Sequence, residues 1–339
     1  MTPLVDVRRL VKRYEQRSWR GQVRVTEAVA SISFTIDTGE MFGLVGESGS
    51  GKTTTARCLL RLVEPTSGEV RFRGEDVLAF DKQQLRQWRR EAQMVFQDPQ
   101  GSLNPRMRVG AILREPLEIH GVGSSDDRRV RVEELLGLVG LDADAAAKYP
   151  EAFSGGQRQR IGIARALALS PSLLVADEPV SALDVSVQAY VLNVLADLRD
   201  RLQVAYLFIS HDLSVIAHIA DRVAVMYRGA IVEQGPVDAV LRPPWHPYTE
   251  ALLSAVPHIG RDAATVRIRL LGDSVEQGAV GGGCRFRHRC PRKAGAICDT
   301  EDPPALQVAP GHTIACHLPL EAMTGGGWLR SAPVRAAGA

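Results

Sequence analysis

The chain has 339 residues, 45% of them hydrophobic and 24% charged, and a net charge of +2. That length supports one large domain with an appendage, and so balanced a charge offers no basic field for nucleic acid. No stretch approaches the roughly 18 uninterrupted apolar residues of a membrane span, and the N-terminal "MTPLVDVRRLVKRY" lacks a signal-peptide core, so a cytosolic location is expected.

The first strand-like segments are "SISFTI" (31–36), whose alternation predicts a half-exposed strand, and "MFGLVG" (41–46), apolar throughout. A helix is predicted from about Lys52 to Val63. From about 103 to 170 the pattern is helical, and "DDRRVRVEELLGLVGL" puts Val130, Leu135, Leu138 and Val139 on one face, with Asp126 as the cap. "SLLVAD" and "VAYLFIS" are continuous apolar runs, the mark of strands buried on both faces of a parallel sheet. The helix "SVQAYVLNVLADLRDRL" between them completes a βαβ unit. After about 240, prolines and glycines accumulate and periodicity fades. The expected division is a domain over 1–240, with a helical subdomain at about 103–170, and a C-terminal extension over 241–339.

Three motifs carry chemistry. "GESGSGKTT" (46–54) fits G-x-x-x-x-G-K-[ST], between a predicted strand and a predicted helix. Its glycines bring backbone N–H groups close to a polyphosphate, Lys52 reaches the outer phosphates, and Thr53 ligates Mg²⁺. The strand "LLVADE" ends in two carboxylates: Asp177 to hold Mg²⁺ through water and Glu178 to act as general base on the attacking water. In "FSGGQRQRIGIARAL" (153–167), Ser154 and a glycine pair open a helix, a second phosphate cradle. One nucleotide needs one cradle, so the second suits a nucleotide held by a partner chain.

With these residues in hand, 1–240 resembles the ABC-transporter ATPases, motif by motif and in order. "GESGSGKTT" is similar to Walker A, "LLVADE" to Walker B, and "FSGGQ" to the LSGGQ signature with Phe153 in place of leucine. Gln97 resembles the Q-loop glutamine, "SALD" (181–184) the D-loop, and His211 the switch histidine. The resemblance implies an α/β P-loop ATPase core with an antiparallel β-subdomain and a helical subdomain. It also implies ATP bound through Gly46, Ser48, Gly49, Ser50, Gly51, Lys52, Thr53 and Thr54, with Mg²⁺ on Thr53, Gln97 and Asp177. Catalysis would fall to Glu178, His211 and Gln97. Ser154, Gly155, Gly156, Gln157 and Asp184 would meet the nucleotide of a second cassette head to tail. Tyr14 or Trp19 would stack on adenine, because "EQRSWRGQVRVTEA" is expanded relative to the family pattern.

"QDPQGSLNPRMRVG", "DEPVSALDVSVQAYVLNVL" and "HPYTEALLSAVP" (246–257) narrow the resemblance to the oligopeptide and dipeptide importers, F-type subunit, with Val180-Ser181 where the D-type has a threonine pair. It implies a peripheral subunit on the cytoplasmic face of the cell membrane, two permease subunits, a D-type ATPase or second copy, and, indirectly, an extracytoplasmic binding protein. Nickel and glutathione importers share the pattern. A soluble ABC ATPase with a metal-sensing tail is the rival of another class.

Four of the five cysteines, Cys284, Cys290, Cys298 and Cys316, lie in the tail as C-x5-C-x7-C-x17-C, apart from Cys58. The spacing matches neither common zinc modules nor ferredoxins. The resemblance implies a [4Fe–4S] cluster whose negative charge Arg285, Arg287, Arg289, Arg292 and Lys293 would balance. Zn²⁺ with His288, His312 or His317 as substitute ligands, or plain reduced thiols, remain open.

Overall fold

A computed structural model describes residues 2–17, 23–255, 268, 270 and 282–324. The N-terminal strands β1 (Val5–Arg17) and β2 (Val23–Ile36) pair antiparallel, and β4 (Ser67–Phe72) and β5 (Glu75–Asp76) extend them into a sheet of order β2-β1-β4-β5. Strand β3 (Met41–Val45) instead enters a larger sheet with β6 (Ala92–Val95), β7 (Leu173–Asp177), β8 (Ala205–Ser210), β9 (Arg222–Tyr227), β10 (Ala230–Pro236), β11 (Ala305–Ala309) and β12 (His312–Ala315). Its order is β11-β12-β10-β9-β3-β8-β7-β6, parallel from β9 through β6 and antiparallel beyond β9.

The continuous apolar runs are explained by this sheet. Along β3, Met41 and Val45 join one buried cluster while Phe42 and Leu44 join another. The same alternation splits Leu174 and Ala176 from Leu173 and Val175 on β7. A period of two with both faces covered leaves no polar position. The half-exposed reading of 31–36 also matches its alternating burial.

Helices α1 (Lys52–Leu59), α2 (Lys82–Glu91), α3 (Pro99–Ser102), α4 (Val109–His120), α5 (Ser125–Leu138), α6 (Gly155–Leu167), α7 (Val185–Leu202) and α8 (Leu213–Ile219) surround the sheets. The first stops at Leu59, short of Val63, and Arg61 beyond it takes a left-handed φ of 49°. On α5 the expected cap is corrected: Ser124, two residues before Asp126, accepts from Asp127 N in a capping box. Its buried face is Val132, Leu135, Leu136 and Val139, whereas Val130 is exposed. At about 100° per residue Val130 lies on the opposite side of the helix from these four, so it does not share a face with Leu135 and Val139.

The tail does not fold apart from the core. Strand β12 pairs with β10, and Cys284, Phe286 and Cys298 belong to the main buried cluster. Ile314, Cys316 and Met323 form a small cluster of their own.

Candidate nucleotide site

The loop 46–51 leaves the end of β3 at the centre of the parallel sheet and opens α1, so its amides converge at a helix N-terminus. Glycine is required at two of its positions. A Cβ at Gly46 would fall inside the Met226 carbonyl, and one at Gly51, where φ is +107°, inside the Ala28 carbonyl. Ser48 and Gly49 are exposed, and Ser50 is buried beneath them. Lys52 is 4% exposed and donates to Gly46 O at 2.7 Å and Glu47 O at 2.9 Å, folded back into its own loop. Burial lowers its pKa, opposed by the charges of Glu178, Asp177 and Glu47.

At the end of β7, one strand away from β3 through β8, Thr53 Oγ1 donates to Asp177 Oδ1 at 3.0 Å. The hydroxyl and carboxylate expected to share a Mg²⁺ are thus already in contact, and burial raises the Asp177 pKa, opposed by Thr53. This oxygen pair on a hard-cation side of the loop fits Mg²⁺. Glu178 is the meeting point. His211 Nδ1 lies 3.0 Å from its Oε2, Gln97 Nε2 donates to the same oxygen at 3.2 Å, and Lys52 Nζ is 4.0 Å from Oε1. A carboxylate only accepts, so His211 carries its proton on Nδ1 in this arrangement. These residues come from β7, the turn after β8, the turn after β6 and α1. Glu178 itself has a left-handed φ of 47°, a strained backbone that the sequence did not signal.

The expected partner-facing residues are explained partly by local structure. Ser154 caps α6 in a capping box with Gln157, accepting from Gln157 N at 3.3 Å. Gly155 is exposed, whereas Gly156 is buried and a Cβ there would strike Val187 of α7. Asp184 caps α7 through Val187 N at 3.0 Å. Tyr14 sits on β1 opposite Thr26, two residues from the Ala28 carbonyl against Gly51, with Lys12 Nζ 4.9 Å from its ring centre. Trp19 lies outside the described residues, and Thr54 is half-buried at the start of α1.

The tail cations do something other than balance a cluster. Arg285 pairs with Glu27, Arg289 with Glu47 at 2.7 Å, Arg292 with Glu250, and Lys293 with Asp299 at 2.6 Å. Arg287 donates to Cys284 O at 3.1 Å. His312 is buried against Glu233 at 2.8 Å and His317 Nε2 meets Glu301 O at 2.9 Å, so neither points at the thiols as a spare ligand. The four tail cysteines are free, and burial, the main influence, raises the pKa values of Cys284, Cys316 and Cys290, the last to about 11. Among the described residues no group of three or more His, Cys, Asp or Glu side chains is arranged to hold a metal ion. The expected metal centre is not assembled here.

Among the described residues no helix is long and apolar enough to cross a membrane. Residues 29–181 match the ABC transporter family model, and residues 232–298 match that of the oligopeptide/dipeptide transporter C-terminal region. A putative peptide import ATP-binding protein of Brucella ovis is 50% identical over 93% of this chain and 98% of its own. The oligopeptide transport ATP-binding protein AppF of Bacillus subtilis is 46% identical over 93% and 97%. Among solved structures, the dimeric post-hydrolysis state of the ATP-binding cassette MJ0796, bound to ADP and Pi, superimposes with a TM-score of 0.61 at 28% identity, covering 69% of this chain and 98% of that one.

Proposed function

The chain belongs to the ABC-transporter ATPases, and from that premise we propose that it is the ATP-hydrolysing subunit of a peptide importer, working on two permease subunits. The observation that carries the ATPase reading is the convergence of Lys52, Gln97 and His211 on the Glu178 carboxylate beside the Thr53–Asp177 pair. Lys52 binds the outer phosphates, Glu178 takes a proton from the attacking water, and His211 and Gln97 hold Glu178 and report on the γ-phosphate. Thr53, Asp177 and Gln97 would hold Mg²⁺, which when bound would neutralise charge on the phosphates. Tyr14 or Trp19 stacks on adenine. Ser154, Gly155, Gln157 and Asp184 meet the nucleotide of a second cassette, a D-type subunit or a second copy. The dimeric ADP and Pi state of MJ0796 supports that arrangement. The peptide cargo rests on the 232–298 match and on the relatives' names.

The test is uptake. Vesicles carrying this chain, a D-type subunit and two permeases, with a peptide-loaded binding protein added, should accumulate labelled peptide only with ATP. Accumulation of nickel or glutathione in its place would keep the ATPase and replace the cargo. ATP hydrolysis without any permease association would favour the soluble ABC reading.

We also propose a [4Fe–4S] cluster on Cys284, Cys290, Cys298 and Cys316, with a structural role. Its support is that the free thiols are drawn together: Cys284 N donates to Cys298 O at 2.8 Å, both cysteines lie in one buried cluster with Cys290 packed against it, and Cys316 is buried as well. A single Zn²⁺ would need thiolates about 3.8 Å apart, from bonds of about 2.3 Å, and no such group is formed among the described residues. A four-iron cluster spreads its ligands over four metals and so tolerates wider spacing. Ligation needs thiolates and so releases protons, so assembly should weaken in acid. Protein purified without oxygen should be brown, with about four irons per chain. Any one Cys→Ser change in the tail should lower iron, and Cys58→Ser, on buried α1, should not. Stoichiometric zinc in a colourless preparation would replace the cluster, and metal-free protein would remove the centre.

A further inference from the structure

Glu47 is the only acidic residue in the loop 46–54, and the C-terminal third of the chain grips it twice. Arg289 donates from Nη1 to Glu47 Oε2 at 2.7 Å and from Nη2 to Oε1 at 3.1 Å, a two-pronged pair. The Arg289 side chain is 10% exposed, so the pair is partly shielded from water. From an earlier point in the same C-terminal third, the Tyr248 hydroxyl accepts from the Glu47 backbone N–H at 2.9 Å. Side chain and main chain of one loop residue are thereby both fixed from outside the loop.

The segment that delivers Arg289 is itself fastened to the site. Phe286 is 1% exposed and packs edge-on against Tyr227, with centroids 5.1 Å apart, and against Tyr248 at 5.4 Å. Arg285 donates to the Arg228 carbonyl at 2.8 Å and pairs with Glu27. The next residue of that turn, Gly229, donates to Ser50 O at 2.8 Å, so the same turn supports the loop from below. Cys284 and Cys290 bracket the segment at its two ends.

We propose that Arg289 is a positioning residue for the phosphate-binding loop, and that nucleotide affinity therefore depends on the docking of the cysteine-bearing segment. The proposal rests on the reading of 46–54 as the cradle for ATP phosphates. Two effects act together. The forked bond fixes the loop residue just before the exposed Ser48 and Gly49, and the guanidinium cancels a carboxylate that would otherwise repel a polyphosphate. Whatever the bracketing thiols hold would then act on the site through the seat of Arg289, with no contact to the nucleotide.

The full-length chain should be titrated with a fluorescent trinitrophenyl-ATP, with thermal melting measured alongside. Arg289→Ala should weaken binding about tenfold, and Arg289→Lys, which keeps the charge and loses the fork, about threefold. Added guanidinium ion should restore much of the Arg289→Ala loss, and so should a second change, Glu47→Gln, which removes the stranded charge. Lys293→Ala, in the same segment but paired with Asp299, should bind as the parent does. Unchanged affinity in Arg289→Ala overturns the proposal. So does a loss that tracks a lowered melting temperature and answers to neither rescue. A parent chain that binds no nucleotide would instead overturn the reading of the loop itself.

Discussion

Glu178→Gln should all but stop ATP turnover while leaving ATP binding within a few-fold of the parent. The carboxylate is the one group that touches every other member of the hydrolytic cluster, with His211 at 3.0 Å, Gln97 at 3.2 Å and Lys52 at 4.0 Å. Glutamine keeps its size and can still meet these neighbours, but it cannot take a proton from water. Loss of a general base costs about 10²–10⁴ in rate, or roughly 3–5 kcal/mol of barrier. The backbone should not shift, because the left-handed φ of 47° is imposed by Glu178 N donating to Ile209 O at 3.0 Å and by the following turn, where Ser181 returns to Glu178 O at 3.1 Å. Binding should survive, since Lys52 keeps its contacts to Gly46 O and Glu47 O. Steady-state phosphate release and nucleotide titration on the same preparation separate the two quantities. Near-parental hydrolysis would remove Glu178 from the chemistry.

The parts of this site that are legible in sequence are those set by neighbours along the chain. A glycine loop between a strand and a helix, or a carboxylate at the end of a buried strand, is a local pattern whose chemistry follows from spacing alone. The doubly buried strands were legible for the same reason, because two covered faces erase the polar alternation. What escaped was set by distant partners. Gly156 is small because Val187 lies against it, and Asp184 caps the helix that brings Val187 there.

The tail cations are the clearest case. Read as a run among cysteines, they suggest a counter-charge for a cluster. Their acids instead stand 258 residues away for Arg285, 242 for Arg289 and 42 for Arg292. Glu250 is 1% exposed and Glu233 likewise, so Arg292 and His312 are what make those burials tolerable. Removing one partner of such a pair typically costs about 3–5 kcal/mol, because a charge is left stranded. No periodicity encodes a pairing of that range.

Ser154→Arg should leave nucleotide bound to the chain's own loop and abolish ATP-driven pairing of two cassettes. Both hydrogen bonds of the capping box at Ser154 are to Gln157, at 2.9 Å and 3.3 Å, so the serine's local work is to cap α6. Losing a serine cap costs about 1 kcal/mol, too little to unfold α6, whose Ile161, Ile163, Ala164 and Leu167 are buried. Ser154 and Gly155 are exposed in the single chain, an arrangement suited to an anion arriving from outside. An arginine there would fill the space that a partner's γ-phosphate needs, and its guanidinium would hold the phosphate away from the α6 amides. With a D-type partner one of two composite sites should be lost, and with a second copy both. Light scattering with ATP, in the Glu178→Gln background so that the closed state is not consumed, should show dimers for the parent and monomers for the double variant. Ser154→Ala, which removes the cap without adding bulk, separates capping from occlusion and should still dimerise. If Ser154→Arg pairs and hydrolyses as the parent does, the signature turn faces no nucleotide, and the second cradle is only a capped helix.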